Sequence, residues 1–233
     1  MKRTKVTLAA AAVPLRQIAE MRTSPEKERI GLYFGTFDPV HIAHLLLAET
    51  AREAIRLDRV VFMPAGVPPN KLKKKVTPGE IRLEMLRRAT ADHPRFEVSR
   101  FEIDSPGVNY TVDTLRHLKQ RYPGGKLFFI AGSDTINDLP NWYRPQEICR
   151  LVSLVTALRP GEEVPDFDRL EREIGIRLPA AVRRQIIPMP LLEISSTEIR
   201  RRRAQGKSIR YRTPDKVIAV IEKYGLYQKK ARP

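Results

Sequence analysis

The stretch that most constrains the fold of this chain spans residues 30–50 and reads IGLYFGTFDPVHIAHLLLAET. Its first five residues are an apolar run, ending at Gly35, that is typical of a buried strand. Asp38 and Pro39 form a turn signal, and from Ile42 onward apolar residues recur at helical spacing. The sequence therefore predicts a strand, a tight loop and a helix in direct succession.

Two histidines lie three positions apart where this predicted helix begins. His41 and His44 therefore share one face of its first turn. A helix N-terminus and a Gly-containing loop both favour a bound phosphate, and two imidazoles can donate hydrogen bonds to its oxygens. The spacing alone also fits an incidental pair or half of a metal site. However, His93, His117 and Cys149 show no ligand spacing that would complete such a site.

The whole string GTFDPVHIAH, between a predicted strand and a predicted helix, is far more specific than two histidines. It resembles the signature of the nucleotidyltransferase superfamily with the (H/T)xGH motif. Its GTFDPVH core is most similar to the bacterial nicotinate-nucleotide adenylyltransferases. Ala43 stands where that family usually has Gly, and Ala65-Gly66 where it often has a side-chain amide. The resemblance implies an α/β fold, with a Rossmann-like open, mostly parallel sheet, helices on both faces and a small helical C-terminal part.

A second helix start lies in the segment LEISSTEIRRRR near the end of the chain. Hydroxyl side chains at Ser195, Ser196 and Thr197, followed by the acid Glu198, are typical of a capped helix N-terminus. The segment resembles ISSTxIR, the second signature of the same superfamily, in which this helix start holds the phosphates of ATP. The resemblance implies that Ser196, Thr197 and Arg200 contact the β- and γ-phosphates.

Residues suited to ligand binding follow three of the predicted strands. Gly132 and Asp134 form a G-x-D segment, which places a carboxylate at the carboxyl edge of the sheet, where open α/β sheets bind ligands. Arg159 begins an RPG segment that resembles the family's, near the adenine side of its site. The loop GVPPNKLKKK resembles the family's PPHK loop, with Lys71 retained and Asn70 in place of His. A flexible lysine there can meet a triphosphate as it arrives.

The segments NYTVDTL and NWY concern the second substrate. NYTVDTL resembles the family's SYTxDTL, where a helix start borders the pyridine-nucleotide pocket, and Thr111 is predicted as the N-cap of that helix. Trp142 either plugs the edge of the core or, as the resemblance implies, stacks on a nicotinate ring. The implied contacts to the mononucleotide are Tyr110, Thr111, Asp134, Trp142 and Tyr143.

Periodicity predicts the remaining elements. Further strands are expected at residues 60–65, 96–103, 126–131, 151–158 and 185–190. Thr77 and Glu80 form a capping box before a helix at residues 81–91, and a last helix is expected at residues 213–227.

Composition limits the classes of partner without choosing among them. The 43 basic and 27 acidic residues give a net charge of +16, which favours nucleotides, phosphates or nucleic acid. Basic runs at residues 71–75 and 200–203 are equally typical of a solvated surface. A single cysteine among 233 residues excludes an intramolecular disulfide and fits a reducing compartment. No apolar run approaches the roughly 18 residues of a membrane span.

The resemblance covers residues 29–227, which we expect to form the nucleotidyltransferase domain, with a short tail at residues 228–233. Residues 1–28 have a basic start and an apolar stretch. They resemble a signal peptide in outline but have a poor cleavage context, and we expect a disordered or loosely helical extension instead. The expected location is the cytoplasm. The sequence does not indicate an oligomeric state.

The activity implied by the resemblance is adenylyl transfer in NAD biosynthesis. Nicotinate mononucleotide and ATP give nicotinate adenine dinucleotide and pyrophosphate, with Mg²⁺ bound together with ATP and no side chain assigned as a metal ligand. Implied ATP contacts are Gly35, Thr36, Phe37, His41, His44, Lys71, Gly132, Asp134, Arg159, Ser196, Thr197 and Arg200, with His41, His44 and Arg200 as the catalytic groups. Open alternatives are nicotinamide mononucleotide or phosphopantetheine as acceptor, or a basic nucleic-acid-binding protein, although the chain lacks a nucleic-acid recognition motif.

Overall fold

The computed structural model describes residues 27–67 and 76–229. These residues contain one six-stranded sheet in the order β3-β2-β1-β4-β5-β6, and every neighbouring pair of strands is parallel. The strands are Arg29–Gly35 (β1), Arg59–Pro64 (β2), Phe96–Val98 (β3), Lys126–Gly132 (β4), Ser153–Leu158 (β5) and Ile186–Pro188 (β6). The predicted Rossmann-like sheet is therefore confirmed.

Helices connect the strands and follow the last one. They are Ile42–Ala54 (α1), Gly79–Thr90 (α2), Phe101–Asp104 (α3), Thr111–Arg121 (α4), Ser133–Asp138 (α5), Pro145–Leu151 (α6), Phe167–Ile174 (α7), Ser196–Ala204 (α8) and Asp215–Lys223 (α9). Short 3-10 turns lie at Leu139–Asn141 and Val182–Arg184. No helix in the described ranges is long and apolar enough to cross a membrane.

Two hydrophobic clusters cover the two faces of the sheet. Side chains alternate along β1, so that Ile30 and Leu32 join one cluster and Tyr33 joins the other. The first cluster takes residues from α4, α6 and α7, and the second from α1, α2, α8 and α9. Helices on both faces and a helical C-terminal part are thus present as predicted.

The strand order places a topological switch point between β1 and β4. The chain leaves β1 through α1 toward β2, whereas β4 lies on the other side of β1 and is reached only after β3. Ligands of open α/β sheets bind at such a crevice, beyond the carboxyl ends of the strands. The loop that follows Gly35 and the segment that begins at Gly132 flank this crevice.

The strand predicted at residues 96–103 is shorter than expected. It ends at Val98, because its only sheet neighbour pairs with just three of its residues, Phe96 to Val98. The chain then turns into α3, where Glu102 is buried. Similarly, the strand predicted from residue 151 begins at Ser153, since Leu151 still belongs to α6.

Two predicted helix caps are wrong. The N-cap of α2 is Pro78, and Thr77 instead donates its backbone N–H to Asp38. The N-cap of α4 is Tyr110, and Thr111 is the first helical residue. In both cases the hydroxyl residue lies one position away from where a cap would need it. The last helix, Asp215–Lys223, is also shorter than predicted.

Candidate active site

The two histidines of the loop between β1 and α1 form a stacked pair. His41 is the N-cap of α1, His44 lies one turn on, and their ring centroids are 3.5 Å apart with planes 22° from parallel. The ring of Phe37 packs edge-on against that of His44, with ring centroids 5.0 Å apart. The histidine pair therefore presents one rigid donor surface at the switch point.

Both imidazoles are neutral at physiological pH. Burial, helped by the positive charge of Arg159, lowers the pKa of His41 to about 4. Burial also holds the pKa of His44 well below its usual 6.5, with further contributions from His41 and Arg159. A neutral imidazole carries a proton on one ring nitrogen only.

Hydrogen bonding decides which nitrogen of His44 carries that proton. Nδ1 of His44 accepts the backbone N–H of His41 at 3.2 Å, so Nε2 is the protonated nitrogen. Nδ1 of His41 is buried and has no hydrogen-bond partner within the described residues, although the residue is only 6% exposed. A buried polar atom without a partner is costly and is common where a ligand completes the site.

Side chains from distant parts of the sequence hold the backbone carbonyl groups of residues 36–41, the loop between β1 and α1 that we call the histidine loop. Arg82 Nη1 donates to the carbonyl of Thr36 at 2.9 Å, and Arg200 Nη1 donates to that of Asp38 at 2.6 Å. The loop, which contains a cis Asp38-Pro39 peptide bond, is therefore held from α2 and from α8.

The same pattern continues toward the helix. The hydroxyl of Ser196 donates to the carbonyl of Pro39 at 2.8 Å, and that of Thr213 donates to the carbonyl of Val40 at 2.7 Å. The first N–H of α1, from Ile42, is itself bonded to the carbonyl of residue 212. The helix start is thus less open to an anion than its position alone indicates.

These contacts bring the two signature segments together. Ser196 and Arg200 each donate one hydrogen bond to the histidine loop. Arg200 Nη2 also lies 3.3 Å from the hydroxyl of Thr197. Ser195 is the N-cap of α8, as predicted, and accepts the N–H of Glu198 at 3.1 Å.

The glycine of the loop has a local packing role. A Cβ on Gly35 would lie 2.8 Å from the ring of Phe37, which covers that side of the backbone. Phe37 itself has a left-handed φ of 50° and is buried. Thr36 lies between them with its carbonyl on Arg82. Lys71 lies outside the described residues.

One acidic and one basic side chain, Asp134 and Arg159, follow the ends of β4 and β5. Asp134 is the second residue of α5 and is exposed. Its carboxylate lies over Gly132, where a Cβ would be 2.6 Å from Oδ1. Arg159 follows β5 and is held by Glu162, which accepts its backbone N–H at 3.3 Å and its Nη1 at 3.4 Å. Glu162 also accepts the hydroxyl of Ser133 at 2.6 Å.

Tyr110, Trp142 and Tyr143 are the aromatic residues expected at the second substrate, and we call them the aromatic cluster. The rings of Tyr110 and Tyr143 are 4.7 Å apart, and both residues are exposed. Trp142 is half-buried, with its ring edge-on to Phe129 and its indole N–H donated to Asp138 at 3.0 Å. Trp142 therefore packs against the edge of the core, and its stacking on a nicotinate ring stays a prediction.

Several site residues were not predicted from the sequence. Tyr33 lies beneath the histidine pair and close enough to Arg159 and Asp134 for both charges to affect its pKa, which burial raises. Asp38, Arg82, Glu162 and Tyr227 also hold the site together. For Arg82, the signal that could have found it is a charged residue at an apolar position of the α2 repeat.

Comparison with known proteins agrees with this geometry. Residues 32–202 match the model of the cytidylyltransferase-like family. A probable nicotinate-nucleotide adenylyltransferase of Thermomicrobium roseum is 44% identical over 86% of this chain and 92% of its own length. A protein of the same name from Roseiflexus is 47% identical over 85% of this chain and 98% of its own length.

A solved structure shares the fold. Nicotinic acid mononucleotide adenylyltransferase of Plasmodium falciparum, complexed with NaAD, superposes with a TM-score of 0.68 at 19% identity, over 86% of this chain and 97% of that one. With the two signature segments in contact at the switch point, the chain belongs to the cytidylyltransferase-like family and, within it, to the nicotinate-nucleotide adenylyltransferases.

Proposed function

We propose that the protein transfers the adenylyl group of ATP to nicotinate mononucleotide at the histidine pair. The observation that carries this proposal is the pair of neutral imidazoles at the switch point, with Nε2–H of His44 as a donor and Nδ1 of His41 without a partner. A neutral imidazole that carries its proton on Nε2 can donate one hydrogen bond to a phosphate oxygen.

In the proposed reaction, an oxygen of the mononucleotide's 5′-phosphate attacks the α-phosphorus of ATP in line. The new P–O bond forms as the bond between the α-phosphorus and the bridging oxygen breaks, and pyrophosphate leaves with that electron pair. The attacking phosphate is already ionised at neutral pH, so no general base is needed. The chain's contribution is positioning and stabilisation of charge.

Different residues contact the reacting centre and the two outer phosphates of ATP. His41 and His44 donate to the phosphates at the reacting centre, and Arg159 adds positive charge beside them. The remaining donors of Arg200, with Thr197, are directed to the β- and γ-phosphates, whereas Ser196 positions the loop through Pro39. Lys71 retains its proposed role at the triphosphate.

The residues also fit a magnesium ion that arrives with ATP. No group of three or more His, Cys, Asp or Glu within the described ranges could hold a metal ion by itself. The exposed carboxylate of Asp134 offers one oxygen ligand of the kind that Mg²⁺ prefers, with phosphates and water as the others. When bound, the ion neutralises charge on the triphosphate and on the leaving pyrophosphate.

The mononucleotide is assigned to the aromatic cluster. Trp142 and the neighbouring Tyr110 and Tyr143 offer flat faces for a pyridine ring, and the start of α4 at Thr111 offers N–H groups for its carboxylate. These features support nicotinate over nicotinamide. The need for ATP and the single, buried thiol of Cys149 support a cytoplasmic location.

The test is an incubation of the purified protein with ATP, Mg²⁺ and either nicotinate or nicotinamide mononucleotide. We expect nicotinate adenine dinucleotide and pyrophosphate in equal amounts, and a much lower rate with the amide. Equal rates would contradict the assigned acceptor, and the absence of any dinucleotide would contradict the proposed reaction.

A further inference from the structure

The C-terminal end of the described chain folds back onto the histidine loop. After α9, Gly225 adopts a left-handed φ of 58° and Leu226 donates its N–H to the carbonyl of Ile221 at 2.9 Å. Tyr227 then adopts a left-handed φ of 61°, which is uncommon for a side chain of its size. The turn directs its ring toward the loop between β1 and α1.

Tyr227 and Asp38 make a short hydrogen bond. The phenol of Tyr227 donates to Oδ1 of Asp38 at 2.5 Å, although the two residues are 189 positions apart. The other carboxylate oxygen of Asp38 accepts the backbone N–H of Thr77 at 3.2 Å, and the Thr77 hydroxyl lies 3.4 Å from the phenol. Asp38 is 6% exposed, so these contacts replace water as its hydrogen-bond donors.

This contact lies at the point where both signature segments meet. The backbone carbonyl of Asp38 accepts Arg200 Nη1, and the residue after Pro39 and Val40 is His41. A buried carboxylate that loses a donor is strongly disfavoured, and the loop would rotate to expose it. That rotation would move both the guanidinium of Arg200 and the ring of His41.

We propose that Tyr227 is a positioning residue of the adenylyl-transfer site, which acts through Asp38 on the histidine loop. The proposal rests on the proposed function only for its kinetic effect, since the position of the loop can be measured without turnover. Burial and the charge of Asp38 raise the pKa of Tyr227, so the phenol remains a donor throughout the working pH range.

The test compares Tyr227→Phe with Tyr224→Phe. Both remove one phenol oxygen from the same C-terminal turn, but the Tyr224 hydroxyl donates to Glu84 at 3.1 Å on the surface of α2. We expect Tyr227→Phe to lower kcat roughly 10- to 100-fold, the scale of a misplaced reacting group, with a smaller change in KM. Tyr224→Phe should leave kcat unchanged.

Two further measurements separate positioning from folding and from the proposed reaction. Imidazole NMR resonances of His41 and His44 should shift in Tyr227→Phe and not in Tyr224→Phe, while both variants melt within a few degrees of the wild type. Adding Asp38→Asn to Tyr227→Phe should cost little more than Asp38→Asn alone, because both changes act through one contact.

Unchanged histidine resonances together with wild-type kcat in Tyr227→Phe would overturn the proposal, as would losses that multiply in the double variant. If the histidine resonances shift in Tyr227→Phe but the wild-type protein makes no dinucleotide, the positioning role is supported and the proposed reaction is refuted.

Discussion

At the residue scale, both rings of the histidine pair are kept neutral and oriented. Stacking at 3.5 Å would be unfavourable if both rings were charged. The N–H of His41 assigns the tautomer of His44, and Arg159 opposes protonation of both. Nε2–H of His44 can then act as a hydrogen-bond donor without a preceding proton transfer.

Replacement of His44 by Ala should lower turnover by about 100-fold or more, the effect of losing one donor aimed at developing charge. The fold should persist, because His44 only borders the second core cluster, whose apolar members all remain. Steady-state kinetics and thermal melting measure the two effects. His117→Ala, which removes a ring stacked on Phe101 at 3.8 Å, is the matched control. Near-wild-type turnover in His44→Ala would remove His44 from the mechanism.

Titration of His41 should show a midpoint near pH 4 by imidazole NMR, against about 6.5 in an unfolded chain. Between these values the unfolded chain binds more protons, so His41 lowers stability as the pH falls through that window. The loss is about 2 kcal/mol between pH 7 and pH 5.

Glu102 has the opposite effect on the pH dependence of stability, because it stabilises the fold as the pH falls. Burial raises its pKa to about 7, so in the folded state it binds a proton that the unfolded chain lacks above pH 4.5. The His41 contribution is therefore read from the difference between wild type and His41→Asn in denaturant unfolding. Equal pH slopes in the two proteins would contradict the low pKa.

At the element scale, close backbone contacts decide where the site segments lie. The end of β2 approaches α3 so closely that a Cβ on Gly66 would lie 2.0 Å from the carbonyl oxygen of Glu102 and 2.3 Å from Asn109 Oδ1. Asn109 also accepts the N–H of Val67. Gly66 thus connects the loop after β2 to the segment that leads into α4.

Gly66→Ala should destabilise the protein by about 1 to 3 kcal/mol, because backbone rather than a flexible side chain must move. Gly79→Ala is the control, since the atoms nearest to its Cβ would belong to side chains, with Ile103 Cδ1 at 2.7 Å, Ile103 Cγ2 at 3.3 Å and Arg82 Nη2 at 3.6 Å. Urea unfolding of the two variants measures the difference. A Gly66→Ala protein as stable as Gly79→Ala would show that the approach is easily relaxed.

The basic run at residues 200–203 is not a simple solvated surface. Arg200 is bonded to the histidine loop, Arg201 pairs with Glu198 at 2.7 Å, and Arg202 Nε donates to the carbonyl of Ser208 at 2.9 Å. Much of this positive charge therefore stabilises α8 and its neighbours rather than an open nucleic-acid surface.

At the scale of the whole molecule, the site is assembled from the ends of several strands and from the two final helices. A nucleotide that bridges them should stabilise the fold as a unit. At 100 times its Kd, nicotinate adenine dinucleotide should add about 2.7 kcal/mol and raise Tm by about 5 to 10 °C. Sulfate at the same ionic strength is the control, because a chain of charge +16 binds many anions weakly. An equal shift with sulfate would contradict a specific site.

Much of this arrangement is encoded locally and could be predicted. The strand, loop and helix of residues 30–50 and the capped start of α8 follow from short-range patterns of apolar and hydroxyl residues, whereas the sheet class was implied by the family resemblance. The caps at Thr77 and Thr111 were wrong because a hydroxyl near a helix start is only a local signal; Thr77 donates its backbone N–H to Asp38, and Thr111 is the first helical residue of α4.

The sequence by itself determined most of the elements, because these depend on neighbours along the chain, and its motifs indicated the family. Only the tertiary structure decided which donors remain for a ligand. Asp38, Arg82, Ser196 and Tyr227 become parts of one loop support because parallel strands and the returning C-terminal turn bring residues nearly two hundred positions apart into contact. No local pattern carries that information, since these hydrogen bonds exist only after α1, α2, α8 and α9 have packed on one face of the sheet.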